Sequence, residues 1–267
     1  MREVARLQDH LRQLGRVLLG YSGGVDSALL AVVATEALGP DRFLAVIGRS
    51  ASYPEVQYRS ALTVAERFGV PLRELSTHEL EDPRYRANPV DRCYFCKAEL
   101  WARLSTVAGA EGFDSIIDGT NADDGREHRP GLVAGAERRV RSPLADLGLG
   151  KSVIREMARG LGIPIWNAPA APCLSSRIRY GLPVTEARLR QIEAGEALLR
   201  EIGVAGDLRV RHLGDRASIE VVPAEFARLE ERWSEIAAGF RHLGFGSVER
   251  DARGYRRGSL LVLEPAG

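Results

Sequence analysis

Three short stretches carry residue types able to do chemistry: S-G-G-V-D-S at residues 22–27, R-C-Y-F-C-K at 92–97, and A-P-C-L-S-S-R at 171–177. In the first, Gly23 and Gly24 let the backbone adopt positive φ and approach an anion closely. The hydroxyls of Ser22 and Ser27 and the amides of a following helix supply donors. That combination predicts a phosphate cradle, as against a plain glycine turn into a helix. Asp26 adds a negative charge where phosphate repulsion is severe unless a cation joins it, so it is assigned to Mg²⁺ shared with the phosphates. G-L-G-K-S at 148–152 superficially suggests a Walker loop, but that pattern requires glycine where Ala145 stands.

The other two stretches hold all three cysteines of the chain, Cys93, Cys96 and Cys173. An odd count with a C-x-x-C pair points, in a reducing compartment, to metal binding or redox chemistry rather than a disulfide framework. Lys97 and Lys151 are the only lysines among 37 basic residues. A lysine retained where arginine is otherwise used is consistent with a position needing a compact ammonium, with chance as the alternative reading.

These residues need a scaffold. A chain of 267 residues predicts two domains, drawn at 1–180 and 181–267. Val17 to Tyr21 reads as a buried strand, followed by the glycine loop and a helix closing at Gly39. A second strand spans residues 43–47, a helix 55–68, and a third strand 115–121, preceded by a helix around residue 100. A further helix covers 150–162. Strands alternating with helices predict an α/β fold with a parallel sheet covered on both faces, with ligands at the carboxyl ends of the strands. From Thr185 the pattern changes to a small α+β unit: a helix, two alternating strands at 208–213 and 217–222, a helix over 223–236 and a last strand at 259–264.

Composition narrows the function classes. The net charge of +1 supplies no global field to gather nucleic acid, and the C-terminal unit carries 13 arginines against 14 acids. No apolar run approaches the length of a membrane span, and the N-terminal residues lack the apolar stretch of a signal peptide. The expectation is a cytoplasmic protein acting on a small molecule, with neither nucleic acid nor membrane as partner.

The S-G-G-V-D-S loop resembles the pyrophosphate loop of the ATP pyrophosphatase superfamily, the PP-loop or adenine nucleotide alpha hydrolase-like fold. Its members split ATP between the α and β phosphates and transfer AMP to an oxygen of the substrate. D-G-T-N-A-D-D at 118–124 fits a second ATP-side turn, with Gly119, Thr120 and Asn121 against ATP and Asp123 and Asp124 as further magnesium candidates; a simple Asx-rich turn is the alternative. A-P-C-L-S-S-R, with W-N-A-P before it, R-P-G-L at 129–132 and S-P-L-A-D at 142–146, is similar to the LarE family, the sulfur-insertion enzymes of the nickel-pincer nucleotide cofactor of lactate racemase. The resemblance spans essentially the whole chain. It implies adenylation of a carboxylate on a pyridinium dicarboxylate mononucleotide, sulfur delivery to give a thiocarboxylate, a homo-oligomer, and handover to the nickel-inserting enzyme of the pathway.

In relatives with one cysteine at the position of Cys173, that residue is the sulfur source and ends as dehydroalanine. This chain departs from that pattern in having Cys93 and Cys96 as well. Three thiolates are one short of a Cys₄ set, the arrangement that holds a [4Fe-4S] cluster with one open iron able to carry sulfide. A Cys₃His zinc site completed by a histidine such as His128, a Cys93–Cys96 redox pair forming a persulfide on Cys173, and buried structural cysteines stay open. On the substrate side, Ser176 and Arg177 follow Cys173. Arg209 and Arg211 share a strand face and match the family's substrate arginines, and Glu220 matches a family acid. Lys97 is placed against ATP phosphate or the transition state of phosphoryl transfer. A tRNA thiolation enzyme would be expected to add a basic RNA-binding module or zinc ribbons, and an NAD synthetase-like amidating ligase would leave the cysteines as bystanders.

Overall fold

Residues 17–20, V-L-L-G, form a continuous apolar run, the pattern of a strand buried on both faces of a parallel sheet. The computed structural model, which describes residues 2–124, 130–169 and 172–256, builds the N-terminal unit on that run. This unit comprises Met1–Tyr85 and Asp91–Ala171. Along the chain it contains α1 (Arg2–Arg12), β1 (Val17–Gly20), α2 (Val25–Leu38), β2 (Phe43–Arg49), α3 (Glu55–Phe68) and β3 (Leu72–Ser76). Then come the short α4 (Pro83–Arg86), which ends at the unit boundary, α5 (Arg92–Glu111), β4 (Ser115–Ile117), α6 (Pro130–Glu137), α7 (Pro143–Asp146) and α8 (Lys151–Gly160).

The four strands are parallel in the order β3-β2-β1-β4. Alternation along the pleat sends side chains to two cores. Val17, Leu19, Ala45 and Ile47 pack with α1, α2, α3 and α8, while Leu18 and Val46 pack with Trp101 and Leu104 of α5 and Ala134 of α6. Helix α2 is apolar almost all round and correspondingly buried, with Leu29, Leu30 and Val33 at 0% exposure. Burial of each such side chain is worth roughly 1.5–3 kcal/mol. The result is the α/β parallel sheet with helices on both faces that the sequence predicts. The differences lie at its edges: β3, L-R-E-L-S, is a half-exposed polar edge strand without an apolar signature, and the strand expected over 115–121 ends at Ile117.

The second unit comprises Arg86–Val90 and Pro172–Gly267. It contains α9 (Glu186–Glu201), capped by the Thr185 hydroxyl accepting from Arg188 N at 3.3 Å, then β5 (Leu208–His212), β6 (Arg216–Val221), α10 (Phe226–Glu231), α11 (Trp233–His242) and β7 (Ser247–Arg250). β5 and β6 are antiparallel and β7 joins β6 in parallel. The helix expected over 223–236 is broken into a 3₁₀ turn and two helices meeting at Arg232. The last strand expected at 259–264 lies outside the described residues, and the third strand of this sheet is the polar β7. Leu208, Val210, Ala217, Ile219 and Val221 form the core with Leu199, Ile236 and Phe240. Residues 86–90 are tied into this unit by Asn88, held at φ 56, whose amide donates to Arg179 O at 2.8 Å and Leu182 O at 2.9 Å. Among the described residues no helix is long and apolar enough to cross a membrane.

His212, 2% exposed, is the ionisable group most out of place in this unit. Gly214 N donates to its Nδ1 at 3.3 Å, so Nε2 carries the proton and donates to Gln191 Oε1 at 3.0 Å. Burial, reinforced by the Arg188 charge, pushes its pKa down to about 4. The unfolded chain takes up that proton near pH 6.5 and the folded chain only near pH 4, so stability is lost as the pH falls through this window. The loss attributable to His212 reaches about 2 kcal/mol at pH 5. Urea midpoints at pH 7 and pH 5 should therefore differ more for the wild type than for His212→Gln; equal differences would remove His212 as the cause.

Candidate active site

The turn at 22–27 leaves the carboxyl end of β1 and enters α2, which starts at Val25 with no side-chain cap. Its first amides and the positive end of the helix dipole therefore face outward, ready for an anion. Gly23 has φ +71, and a Cβ there would lie 2.8 Å from Ala61 Cβ and 2.9 Å from the Tyr53 hydroxyl. Glycine is required twice over, by conformation and by space. The turn is pinned from α3 and the segment before it: Tyr53 Oη donates to Ser22 O at 3.0 Å, and Gln57 Nε2 donates to the same carbonyl. Ser22 Oγ and Ser27 Oγ meet at 3.1 Å across the loop.

A second turn, 118–121, leaves the carboxyl end of β4 and passes directly over the start of α2. A Cβ on Gly119 would lie 2.9 Å from Ser27 N. Asp118 shapes this turn by accepting from Thr120 N at 3.0 Å, Thr120 Oγ1 at 2.8 Å and Ser142 Oγ at 2.8 Å. Asn121 then joins the two turns, its Nδ2 donating to Asp26 Oδ2 at 3.2 Å and its backbone N to Asp124 Oδ2 at 3.1 Å. The structure thus brings together Ser22, Gly23, Gly24, Asp26, Ser27, Gly119, Thr120, Asn121 and Asp124 at one edge of the sheet.

The contact that sequence reasoning did not assign is Lys151. Its Nζ donates to both oxygens of Asp26 at 2.6 Å, and its backbone N, at the start of α8, donates to Asp123 Oδ2 at 2.7 Å. Asp123 is thus occupied with capping α8, whereas Asp26 sits with a cation already against it. Asp26 and Asp124 both hydrogen-bond Asn121, one through its side chain and the other through its backbone. The signal for Lys151 was its rarity in an arginine-dominated chain. Lys97 lies on α5 with its ammonium 5.2 Å from the centre of the Trp101 ring. Cys93, exposed, and Cys96, half-buried, precede it three residues apart, on one face of the helix. Neither they nor Cys173 form a disulfide, and His128 lies outside the described residues. No group of three or more His, Cys, Asp or Glu able to hold a metal stands together among the described residues.

In the second unit, Cys173 begins a 3₁₀ turn, Leu174–Arg177. Its carbonyl accepts from Ser176 N at 3.0 Å, Ser176 Oγ at 2.7 Å and Arg177 Nη1 at 2.9 Å, so the backbone beneath the thiol is fixed while the side chain stays partly accessible. Arg177, 3% exposed, pairs with Glu196, with Nε to Oε1 at 3.0 Å and Nη2 to Oε2 at 3.2 Å. Glu196 also accepts Val210 N at 3.2 Å. This acid was missed because it sits in a helix rich in Glu and Arg, where nothing local distinguishes it. Arg211 Nη1 donates to Ser176 O at 3.0 Å and its Nη2 to Glu220 Oε2 at 2.8 Å, both groups being buried. Arg209 and Arg211 share a sheet face with Glu220, as the strand alternation predicts. Burial, and then the neighbouring charge of Arg177, pull the pKa of Arg209 down. Three guanidiniums, of Arg177, Arg209 and Arg211, thus cluster with the carboxylates of Glu196 and Glu220.

A model of the NAD synthase family matches residues 3–108. The chain is 39% identical over 260 residues to an uncharacterized protein of Synechocystis, covering 97% of this chain and 96% of that one. It is 32% identical over 256 residues to the pyridinium-3,5-bisthiocarboxylic acid mononucleotide synthase of Lactiplantibacillus plantarum, covering 96% of this chain and 92% of that enzyme. An uncharacterized protein of Methanocaldococcus jannaschii matches at 29% identity over 251 residues, 93% of this chain.

The close passage of Gly119 over α2 gives a direct test of the nucleotide edge. Gly119→Ala places a methyl 2.9 Å from Ser27 N and must push the two turns apart. ATP affinity, measured by calorimetric titration, should weaken at least tenfold while the melting temperature moves by only a few degrees. Unchanged affinity would mean that the turn can retreat from α2 at no cost to binding.

Proposed function

We propose a reaction for this chain from one premise: it belongs to the family of the pyridinium-3,5-bisthiocarboxylic acid mononucleotide synthase, with which it aligns over almost its full length. It is an ATP-dependent sulfur transferase of the PP-loop superfamily, making a thiocarboxylate. The finer reading is that its acceptor is pyridinium-3,5-dicarboxylate mononucleotide. A carboxylate oxygen of that substrate attacks the α-phosphorus of ATP, the bond to the bridging oxygen of the β-phosphate breaks, and pyrophosphate leaves into the 22–27 turn. The products of this half are an acyl adenylate and pyrophosphate. Sulfur then attacks the acyl carbon, and AMP departs with the electron pair of the broken C–O bond.

In this reading, Ser22, Gly23, Gly24 and Ser27 hold the leaving phosphates through hydroxyls and helix amides. Gly119, Thr120 and Asn121 border the nucleotide. Asp26 and Asp124 would hold Mg²⁺, which when bound screens the phosphate charge during transfer. Lys151 shares Asp26 and supplies a fixed positive charge beside it, and Lys97 is a further candidate for contact with the phosphates. Ser176, Arg177, Arg209 and Arg211 receive the phosphate and carboxylates of the acceptor, since guanidinium forks match both groups, and Glu220 holds Arg211 in place for them.

The observation that carries this reading is the setting of Cys173: a partly accessible thiol on a turn whose backbone is locked by three donors, next to Arg177 and its neighbours Arg209 and Arg211. A ligase using ammonia has no need of such a thiol. The match to the NAD synthase family stops at residue 108, so it supports ATP use and not amidation.

The reading of the sulfur source rests on the sequence alone. Cys93 and Cys96, as a C-x-x-C pair, and Cys173 would be the three thiolate ligands of a [4Fe-4S] cluster, although no three such ligands stand together among the described residues. When bound, such a cluster supplies a carrier for sulfide, so that Cys173 survives turnover. Without it, Cys173 itself gives up sulfur: its Cβ–S bond breaks, its Cα proton is lost and dehydroalanine remains.

Two measurements test this. Cys173→Ala should abolish thiocarboxylate formation, followed by mass spectrometry of the product, while pyrophosphate release continues; Asp26→Ala should stop pyrophosphate release itself. Retained sulfur transfer in the first variant removes Cys173 from the chemistry. Protein prepared without oxygen should carry iron and sulfide that Cys93→Ser loses, with wild-type mass unchanged after turnover. A mass loss of about 34 Da at Cys173, the mass of H₂S, would assign the sacrificial route instead.

A further inference from the structure

A cavity of about 390 Å³ opens in the N-terminal unit beside β4. Its walls include Phe113, Asp114 and Ser115, at the amino end of β4, and Arg138, Arg139 and Arg141, in the segment that follows α6. The nucleotide turns 22–27 and 118–121 follow the carboxyl ends of β1 and β4, which run parallel, so this cavity is distinct from the site described above. Its volume falls in the range of small-ligand sites.

The charge on its walls is lopsided. Three guanidiniums face one carboxylate, and Asp114 Oδ2 already accepts Arg16 N at 2.7 Å. Arg141 has its nearest acid, Asp146, at 3.9 Å, shared with His10 at 3.5 Å. Arg138 and Arg139 make no ion pair among the described residues. The hydroxyls of Ser105 and Ser115 donate to the carbonyls of Trp101 and Leu14, which leaves the guanidiniums as the donors available to a ligand.

The backbone supplies a second, independent observation. Arg139 is held at φ 57, one of two non-glycine residues with positive φ among the described residues. It closes α6, with Arg139 N donating to Ala136 O at 3.0 Å and Val140 N to Gly135 O at 3.0 Å, a helix end at which glycine is the stable choice. An arginine kept where glycine is more stable contributes through its side chain.

We propose that this cavity is a second oxyanion site, binding a small phosphate- or pyrophosphate-class dianion through Arg138, Arg139 and Arg141. Guanidinium forks match tetrahedral oxyanions in pairs of hydrogen bonds, and three guanidiniums against one carboxylate on the walls favour a ligand of two negative charges. The same segment runs on into Ser142, whose hydroxyl bonds Asp118 of the nucleotide turn at 2.8 Å. The inference does not depend on the adenylation reading, because it concerns binding in the absence of turnover.

Calorimetric titration of the full chain with inorganic pyrophosphate tests it. Arg138→Ala/Arg139→Gly should bind one pyrophosphate fewer than the wild type, whatever the 22–27 turn binds. Arg139→Gly alone should raise the melting temperature by a few degrees and weaken the same site at least fivefold. A parallel titration with AMP separates the sources: loss of an AMP site in the double variant identifies a phosphate monoester, and loss of a pyrophosphate site alone identifies the free diphosphate. Equal stoichiometry and affinity in wild type and double variant overturn the proposal. So does a fall in melting temperature for Arg139→Gly, which would make Arg139 a structural contact.

Discussion

A carboxylate at the start of a buried helix, Asp26, is held against the Lys151 ammonium at 2.6 Å, and the edge of the sheet where the 22–27 and 118–121 turns meet is organised around that contact. The helix dipole favours the carboxylate alone. It equally favours the phosphates, so Asp26 and a bound triphosphate would compete for the same positive end and repel one another. Lys151 at 2.6 Å answers half of this by fixing a compact ammonium on Asp26. Asn121 answers another part, since it is tied to Asp26 through its side chain and to Asp124 through its backbone. The geometry therefore couples α2, the 118–121 turn and the start of α8 through a single charge. An arginine at 151 would present a planar fork with a broader, more delocalised charge, which explains why this position keeps one of the two lysines of the chain.

The second unit solves the opposite problem. Burying Arg177, Arg209 and Arg211 near one another costs desolvation and mutual repulsion, visible in the lowered pKa of Arg209. Glu196 and Glu220 offset part of this, and the carbonyls of Cys173 and Ser176 take further donors. The locked turn under Cys173 is thus a by-product of charge satisfaction: the guanidiniums of Arg177 and Arg211 hold the backbone that carries the thiol. The positions of Arg209 and Arg211 are set by the antiparallel register of β5 and β6, which puts Arg209 opposite Glu220. A one-residue slip of β5 would turn both into the apolar core.

How much of this was legible in the sequence follows from where the information resides. β1, β2, α2 and α3 have runs or periods that bury them on definite faces, and β5 and β6 alternate, so local pattern suffices. Edge strands β3 and β7 were invisible because half their residues face solvent and nothing local requires them to be strands. The glycine loop was legible because Gly23 combines positive φ with backbone proximity, a constraint written in residue type. Lys151 and Glu196 were not, because each acquires its meaning from a partner 125 and 19 residues away, respectively, or farther along the fold. G-L-G-K-S does not meet the Walker pattern, yet its lysine reaches the glycine loop through Asp26.

The division of labour between the two units places a burden on the chain itself. The 22–27 and 118–121 turns belong to one unit and the Cys173 turn to the other, and the chain passes between them at 85–86, 90–91 and 171–172. Two of those crossings adjoin cysteines: Cys93 follows the second within three residues and Cys173 the third within two. Asn88 explains why the short segment 86–90 belongs with the second unit at all, since its left-handed backbone and three-carbonyl anchorage hold it to the 178–182 stretch. A residue that strains its own backbone to tie together segments some ninety positions apart is hard to understand as a local turn. It is readily understood as the fixing point of the 86–90 segment against the 178–182 stretch, both within the second unit.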